Sequence, residues 1–138
     1  MKTRLIVLTS IIAVMLLCLF GCSPGGSAAP SEVSVDESHN GKKVEIAVAG
    51  TLTVTLESNP TTGFQWELAS ISDQAVLEKQ SNTFEAPEDT GMVGAPGKEV
   101  WTFKALKKGS STISMEYSQP WEGGTKAAET FSLSVVVE

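Results

Sequence analysis

Residues 51–66 read Thr51-Leu52-Thr53-Val54-Thr55-Leu56-Glu57-Ser58-Asn59-Pro60-Thr61-Thr62-Gly63-Phe64-Gln65-Trp66. The first half alternates Leu52, Val54 and Leu56 with threonines and Glu57, the period of two expected of a strand with one buried face. The run stops at Asn59 and resumes in an apolar pair, Phe64 and Trp66. Between them lie only uncharged turn residues. Asn59 can bond its own backbone, Pro60 presets φ, and Gly63 can take φ > 0. Taken alone, the stretch is a connection between two strands, and its surroundings decide whether it is more.

The same period of two recurs on both sides. Upstream, Val44, Ile46 and Val48 alternate with Glu45 and Ala47, and Gly50 offers a turn into the Thr51 run. Downstream, Trp66 and Leu68 open a strand that ends near Ile71, and Val76 to Ser81 is a weaker candidate. Glu99 to Leu106 sets Trp101, Phe103 and Ala105 against Val100, Thr102 and Lys104. After a turn at Lys107 to Ser110 come Ile113, Met115 and Tyr117, and finally Phe131, Leu133, Val135 and Val137. Short β-branched strands with no helical period predict an all-β, two-sheet sandwich of about seven or eight strands. No Cys–Trp–Cys spacing is present, which excludes an antibody-type domain.

The chain begins as an export signal does. Lys2 and Arg4 are followed by an apolar run from Leu5 to Phe20, sixteen residues interrupted only by Thr9 and Ser10 and shorter than the roughly 20 a spanning helix needs. Leu19-Phe20-Gly21-Cys22 resembles a bacterial lipobox, which implies cleavage before Cys22 and lipid on its thiol; Phe20 stands where a small residue is usual. An ordinary signal peptide or a short anchor helix is the alternative. Residues 1–21 are thus expected to be signal, 22–41 a flexible Ser/Gly/Pro/Ala tether carrying the solvated His39, and 42–138 the sandwich. The expected location is outside the cytoplasm, lipid-anchored to a membrane. Cys18 leaves with the signal, so Cys22 has no partner for an internal disulfide. Eight Lys and no Arg then face sixteen Asp and Glu, a balance that argues against nucleic acid and against adhesion to anionic lipid.

Two further connections stand out. Thr83 to Lys98 is long for a sandwich loop and contains Pro87, Gly91, Gly94, Pro96 and Gly97. Ser118 to Thr125 carries Trp121 on a turn, beside Gln119 and Pro120. Such a Trp is either a lid packed on the core or a contact anchor bringing large area at low entropy cost. In a Greek-key order the three connections emerge at one end of the domain.

Catalysis has no foothold in these residues. With His39 as the lone histidine, neither Ser–His nor Cys–His chemistry has its parts. The carboxylates are scattered, and Glu85, Glu88 and Asp89 read as a solvated face rather than a calcium site. Gly94-Ala95-Pro96-Gly97-Lys98 lacks the spacing of a phosphate cradle. No cofactor and no metal are expected.

Taken together, the three loops resemble the chagasin-like inhibitors of papain-family cysteine proteases. Asn59-Pro60-Thr61-Thr62-Gly63-Phe64 is similar to that family's first motif, Gly94-Ala95-Pro96-Gly97 before Trp101-Thr102-Phe103 to its second, and Tyr117-Ser118-Gln119-Pro120-Trp121-Glu122 to its third. The resemblance covers roughly Lys42 to Glu138 and implies an immunoglobulin-like sandwich whose three loops form a wedge. It implies a monomer that binds a papain-like protease reversibly and competitively, with the first loop in the active-site cleft and the others clamping its sides. Gln119 stands where the family usually has Arg, which removes one charge-assisted contact. The competing expectation is a surface binding or adhesion module on the same scaffold. Thr61 and Thr62 enter this reading as small, neutral hydrogen-bonding groups that fit a narrow cleft without burying charge.

Overall fold

The structure, a computed structural model, describes residues 27–88 and 94–138. The signal, Cys22 and residues 89–93 of the second loop lie outside the described residues. Eight strands form two sheets of four: β1 (Glu32–Val35), β3 (Thr51–Ser58), β6 (Gly97–Ala105) and β5 (Leu77–Glu85) in one, and β2 (Lys42–Ile46), β8 (Glu129–Val137), β7 (Gly109–Ser118) and β4 (Gln65–Ile71) in the other. The fold is an immunoglobulin-like β-sandwich.

The inward sets read from the sequence build its core. Leu52, Val54 and Leu56 of β3 meet Trp101, Phe103 and Ala105 of β6, Ile113 and Met115 of β7, and Phe131, Leu133, Val135 and Val137 of β8, all buried. Burying one such side chain contributes about 1.5–3 kcal/mol, and the period of two puts a full set on one face of each strand. Val48, expected to continue the inward set of the first strand, is instead 41% exposed, because β2 ends at Ile46.

Two expectations are corrected. The stretch assigned to the tether contributes β1, in which Val33 packs on the core and Val35 is buried. It also supplies a 3-10 turn, Glu37–His39, capped by Asp36. His39 is accordingly not a free solvated ring: its Nδ1 lies 3.0 Å from the Asp36 carboxylate. The sandwich therefore begins well before Lys42, because Val33 and Val35 supply an inward face within an otherwise polar stretch. Second, the weak candidate at Val76 to Ser81 is the nine-residue β5. It is an edge strand with only Leu77 buried, so it shows none of the alternation that marks the other strands. With β5 running to Glu85 and β6 starting at Gly97, the second loop is much shorter than Thr83 to Lys98.

Strand directions set the two poles. β1 runs parallel to β3 with Glu32 opposite Thr51, so the chain enters the sandwich at the end remote from Asn59. The carboxyl end lies there too, Glu138 bonding Ile46 and Val48 through its backbone.

Candidate functional site

The opposite pole carries the three connections singled out in the sequence. Ser58, the last residue of β3, lies across from Gly97, the first of β6, and Ser118, the last of β7, lies across from Gln65, the first of β4. The register brings the loops after β3, β5 and β7 to one end.

The first loop is a compact finger. Asn59 leaves β3 extended and caps one 3-10 turn, Pro60–Thr62, where proline suits the turn's start because its missing N–H would be unpaired there anyway. Asn59 Oδ1 accepts from Thr61 N at 3.2 Å and from Thr61 Oγ1 at 2.5 Å. Its carbonyl accepts from Thr62 N at 3.1 Å and from Thr62 Oγ1 at 2.6 Å. Gly63 ends the turn at φ +81°, a left-handed conformation that suits glycine. The Asn59–Pro60 bond is trans. Both threonine hydroxyls thus donate inside the finger, and what they offer a partner is acceptor capacity and their methyl groups.

Two side chains from other strands grip the finger, each touching both of its ends. Glu99 of β6, only 7% exposed, accepts through one oxygen, Oε1, from Ser58 Oγ at 2.7 Å and from Trp66 N at 3.0 Å. Tyr117 of β7 accepts from Asn59 N at 2.8 Å through its hydroxyl, while its ring stacks on Phe64 with centroids 5.3 Å apart. Trp66 lies on the same ring at 5.2 Å, and its indole N–H donates to the Glu57 carbonyl at 2.9 Å. Sequence reading passed over Glu99. The signal was available: the inward set Trp101, Phe103, Ala105, continued back by two, puts a carboxylate on the core face.

The other loops lean on the finger. Asn59 Nδ2 donates to the Gly94 carbonyl at 3.0 Å. Gly94 and Pro96 are exposed and Ala95 is half-buried. Gly97 is instead a buried strand residue, flanked by the ring of Phe84. In the third loop Gln119 Oε1 accepts from Thr125 N at 2.9 Å, and Lys126 Nζ donates to the Gln119 carbonyl. Ser118 Oγ closes the loop's base by accepting from Ala127 N at 2.9 Å. Pro120 is exposed. Trp121 is 50% exposed and lies on Gly63, where an added Cβ would fall 2.3 Å from its Cη2. Of the two readings for this Trp, the lid on the core is excluded, because the ring covers the finger instead.

The finger stands between two clefts. One of about 380 Å³ is lined by Thr62, Phe64, Tyr117, Glu57 and Glu129 among others; the second, about 360 Å³, by Pro60, Trp66, Phe84 and Glu99 among others. No charged residue lies between Asn59 and Phe64, so docking the finger buries no ion. Among the described residues, no three His, Cys, Asp or Glu side chains stand together to hold a metal ion. The arrangement presents shape and neutral polarity rather than reactive groups.

Residues 45–135 match the family described as Chagasin family peptidase inhibitor I42. Amoebiasin-2 of Entamoeba histolytica is 36% identical over 84 residues, 61% of this chain and 68% of that protein. Chagasin of Trypanosoma cruzi is 29% identical over 101 residues, 72% of this chain and 92% of that protein. The chain is also similar to the crystal structure of the cysteine protease inhibitor EhICP2 from Entamoeba histolytica, with a TM-score of 0.68 and 27% identity, covering 80% of this chain and 100% of that one.

Proposed function

The chain belongs to the chagasin family of peptidase inhibitors, and from that premise we propose that it inhibits papain-like cysteine proteases by reversible, competitive blockade of the active-site cleft. It is an inhibitor and not an enzyme. The observation that carries the mechanism is the cross-linking of the three loops at one pole: Asn59 to Gly94, and Trp121 on Gly63. A finger already held in shape loses little freedom on docking, which is how rigid loops gain affinity. Thr61 and Thr62 form its exposed tip, offering acceptors and methyls to the walls of the cleft. The shared face continues through Gly94, Ala95 and Pro96 on one side and Pro120 and Trp121 on the other. Trp121, half-exposed and backed by the finger, is the aromatic anchor of the third loop. Gln119 spends its side-chain oxygen on its own loop, so it serves there as a structural residue where the family usually presents a cation.

The anchoring reading completes the picture. Lipid on Cys22 would leave nine residues, Ser23 to Ser31, before β1, a reach of at most about 30 Å. Because β1 enters at the pole opposite the finger, a monomer held this way presents its loops away from the membrane and toward proteases in solution. Labelling with radioactive palmitate tests the anchor: incorporation that disappears in Cys22→Ala supports it, and persistence of label overturns it.

The test of inhibition is titration of the chain after Cys22 against papain and several cathepsin-type enzymes. Tight, reversible, competitive inhibition is expected, and Thr61→Arg with Thr62→Arg should abolish it while leaving the fold intact. Full protease activity at micromolar inhibitor overturns the proposal and leaves the adhesion reading on the same scaffold.

A further inference from the structure

Glu99 is a carboxylate placed where a sandwich normally carries an apolar side chain. It shares the inward face of β6 with Trp101, Phe103 and Ala105 and lies across from Leu56 on one side and Phe84 on the other. Burying a carboxylate there is costly unless it is hydrogen-bonded. Both donors that Glu99 finds among the described residues belong to the finger's ends: Ser58, the residue before Asn59, and Trp66, two residues after Phe64. One oxygen atom therefore closes the base of the loop.

Resting on the inhibitor reading above, we propose that Glu99 is a positioning residue for inhibition: without touching the protease, it holds the finger in its docking shape and so sets the association rate. Geometry supports this role over a purely stabilising one. The sheet pairing of β3 with β6 already runs unbroken from Thr51 to Ser58, so the strands have no need of the carboxylate to stay aligned. The finger does, because the bonds within Asn59 to Gly63 shape the turn without fixing its angle to the sandwich. The hydrogen bonds that reach out of the turn, to the Gly94 carbonyl and the Tyr117 hydroxyl, both start from Asn59 at its entry, and Glu99 adds the tie that spans entry and exit. Glu99 sets that angle from β6, the strand the second loop feeds, and Tyr117 shares the task from β7, the strand that feeds the third. The carboxylate also borders the open 360 Å³ cleft, so in Glu99→Ala water takes the vacated space and the sandwich remains folded.

The experiment compares the chain after Cys22 as wild type, Glu99→Ala, Glu99→Gln and Ser58→Ala. Amide hydrogen exchange is read at residues 59–66, and association and dissociation rates are measured on papain, with the active inhibitor fraction titrated separately. Glu99→Ala should speed exchange in the finger by about tenfold or more while the strands stay protected, and should weaken inhibition by about tenfold, chiefly through slower association. Ser58→Ala, which removes one of the two donors, should give a smaller loss. Glu99→Gln keeps a carbonyl oxygen that accepts from both donors, and should return both readouts to within a few-fold of wild type. Unchanged exchange in the finger, or a loss of inhibition explained entirely by a smaller folded fraction of wild-type affinity, overturns the proposal. Should the wild-type chain leave papain active, the inhibitor reading falls, and the exchange comparison by itself then decides whether Glu99 holds the finger.

Discussion

The two poles of the sandwich are closed by different mixtures of contacts. At the pole where the described residues begin and end, backbone groups pair with one another, Ala49 N with the Ala105 carbonyl, Ala105 N with Gly50 and Leu106 N with Val76, and Ser72, Asp73, Ser111 and Lys104 add side-chain bonds. At the loop pole, side chains supply many of the partners, with Asn59, Glu99, Tyr117, Ser118 and Gln119 each bonding backbone groups of the connections. Backbone pairing is available to any sequence that folds this way, whereas side-chain pairing is specific to particular residues. The difference teaches where the molecule keeps its shape information: side chains bond the chain at both poles, but at the loop pole they also join one connection to another, Asn59 to Gly94.

Two glycines, one at each pole, offer the sharpest way to break that contrast. Gly63→Ala should weaken papain inhibition about a hundredfold, since the added methyl would fall 2.3 Å from the Trp121 ring at a position with φ +81°, misplacing two loops at once. Its melting temperature should also fall by several degrees, since a non-glycine residue in the left-handed region costs about 1–2 kcal/mol. Trp121→Ala follows: inhibition should fall about 30-fold, the roughly 2 kcal/mol of a hot-spot aromatic, with the melting temperature unchanged because the ring lies outside the core. Gly50→Ala reverses the pattern. Its Cβ would meet the Ala47 carbonyl at 2.7 Å and the Ser31 carbonyl at 2.9 Å, so denaturant unfolding should show a loss of about 1–3 kcal/mol while the inhibition constant of the folded protein stays at wild type. A Gly50→Ala protein with impaired inhibition would show that the poles are coupled.

The smallest effect belongs to Asp36, which caps the turn between β1 and β2. The Ser38 hydroxyl first, then His39 and the Ser38 N–H, hold its carboxyl below the ordinary value of 3.8. A carboxyl lowered in the folded state stabilises above the unfolded value and loses that contribution as pH falls through the folded one. Asp36→Asn should therefore melt slightly below wild type at neutral pH and converge with it as acid protonates the wild-type carboxyl. The group is fully exposed, so solvent keeps the difference small. Melting curves at a series of acid pH values check the convergence.

Much of the candidate site was legible before the structure. Asn59 to Phe64 and Trp121 stood out as uncharged turn residues and an aromatic on a turn, because turn chemistry is local and shows in short stretches of sequence. What stayed hidden was the bonding among them. Nothing in Thr61 or Thr62 announces that both hydroxyls are used internally, and nothing in Trp121 announces that its ring rests on Gly63. The Trp121 contact joins residues far apart in the chain, and the threonine bonds, though only two and three residues long, depend on backbone geometry that residue types alone do not fix. Glu99 was hidden for another reason: the inward face of β6 was read from its apolar members, and the one polar member was left outside the pattern. β5 escaped clear assignment because an edge strand with a single buried residue has no alternation to read.

By itself the sequence determined the all-β class, since a period of two repeated along the chain is satisfied by sheets packed face to face or closed on themselves, and the three loop motifs pointed to the sandwich among these. It also determined the chemistry-poor, uncharged character of the loop at Asn59. Only the tertiary structure decided that the chain enters at the far pole through β1, that Trp121 covers the finger rather than the core, and that one buried carboxylate closes the finger's base. Those are questions of which distant residues meet, and they are settled by strand register and direction, which no local stretch of the chain contains.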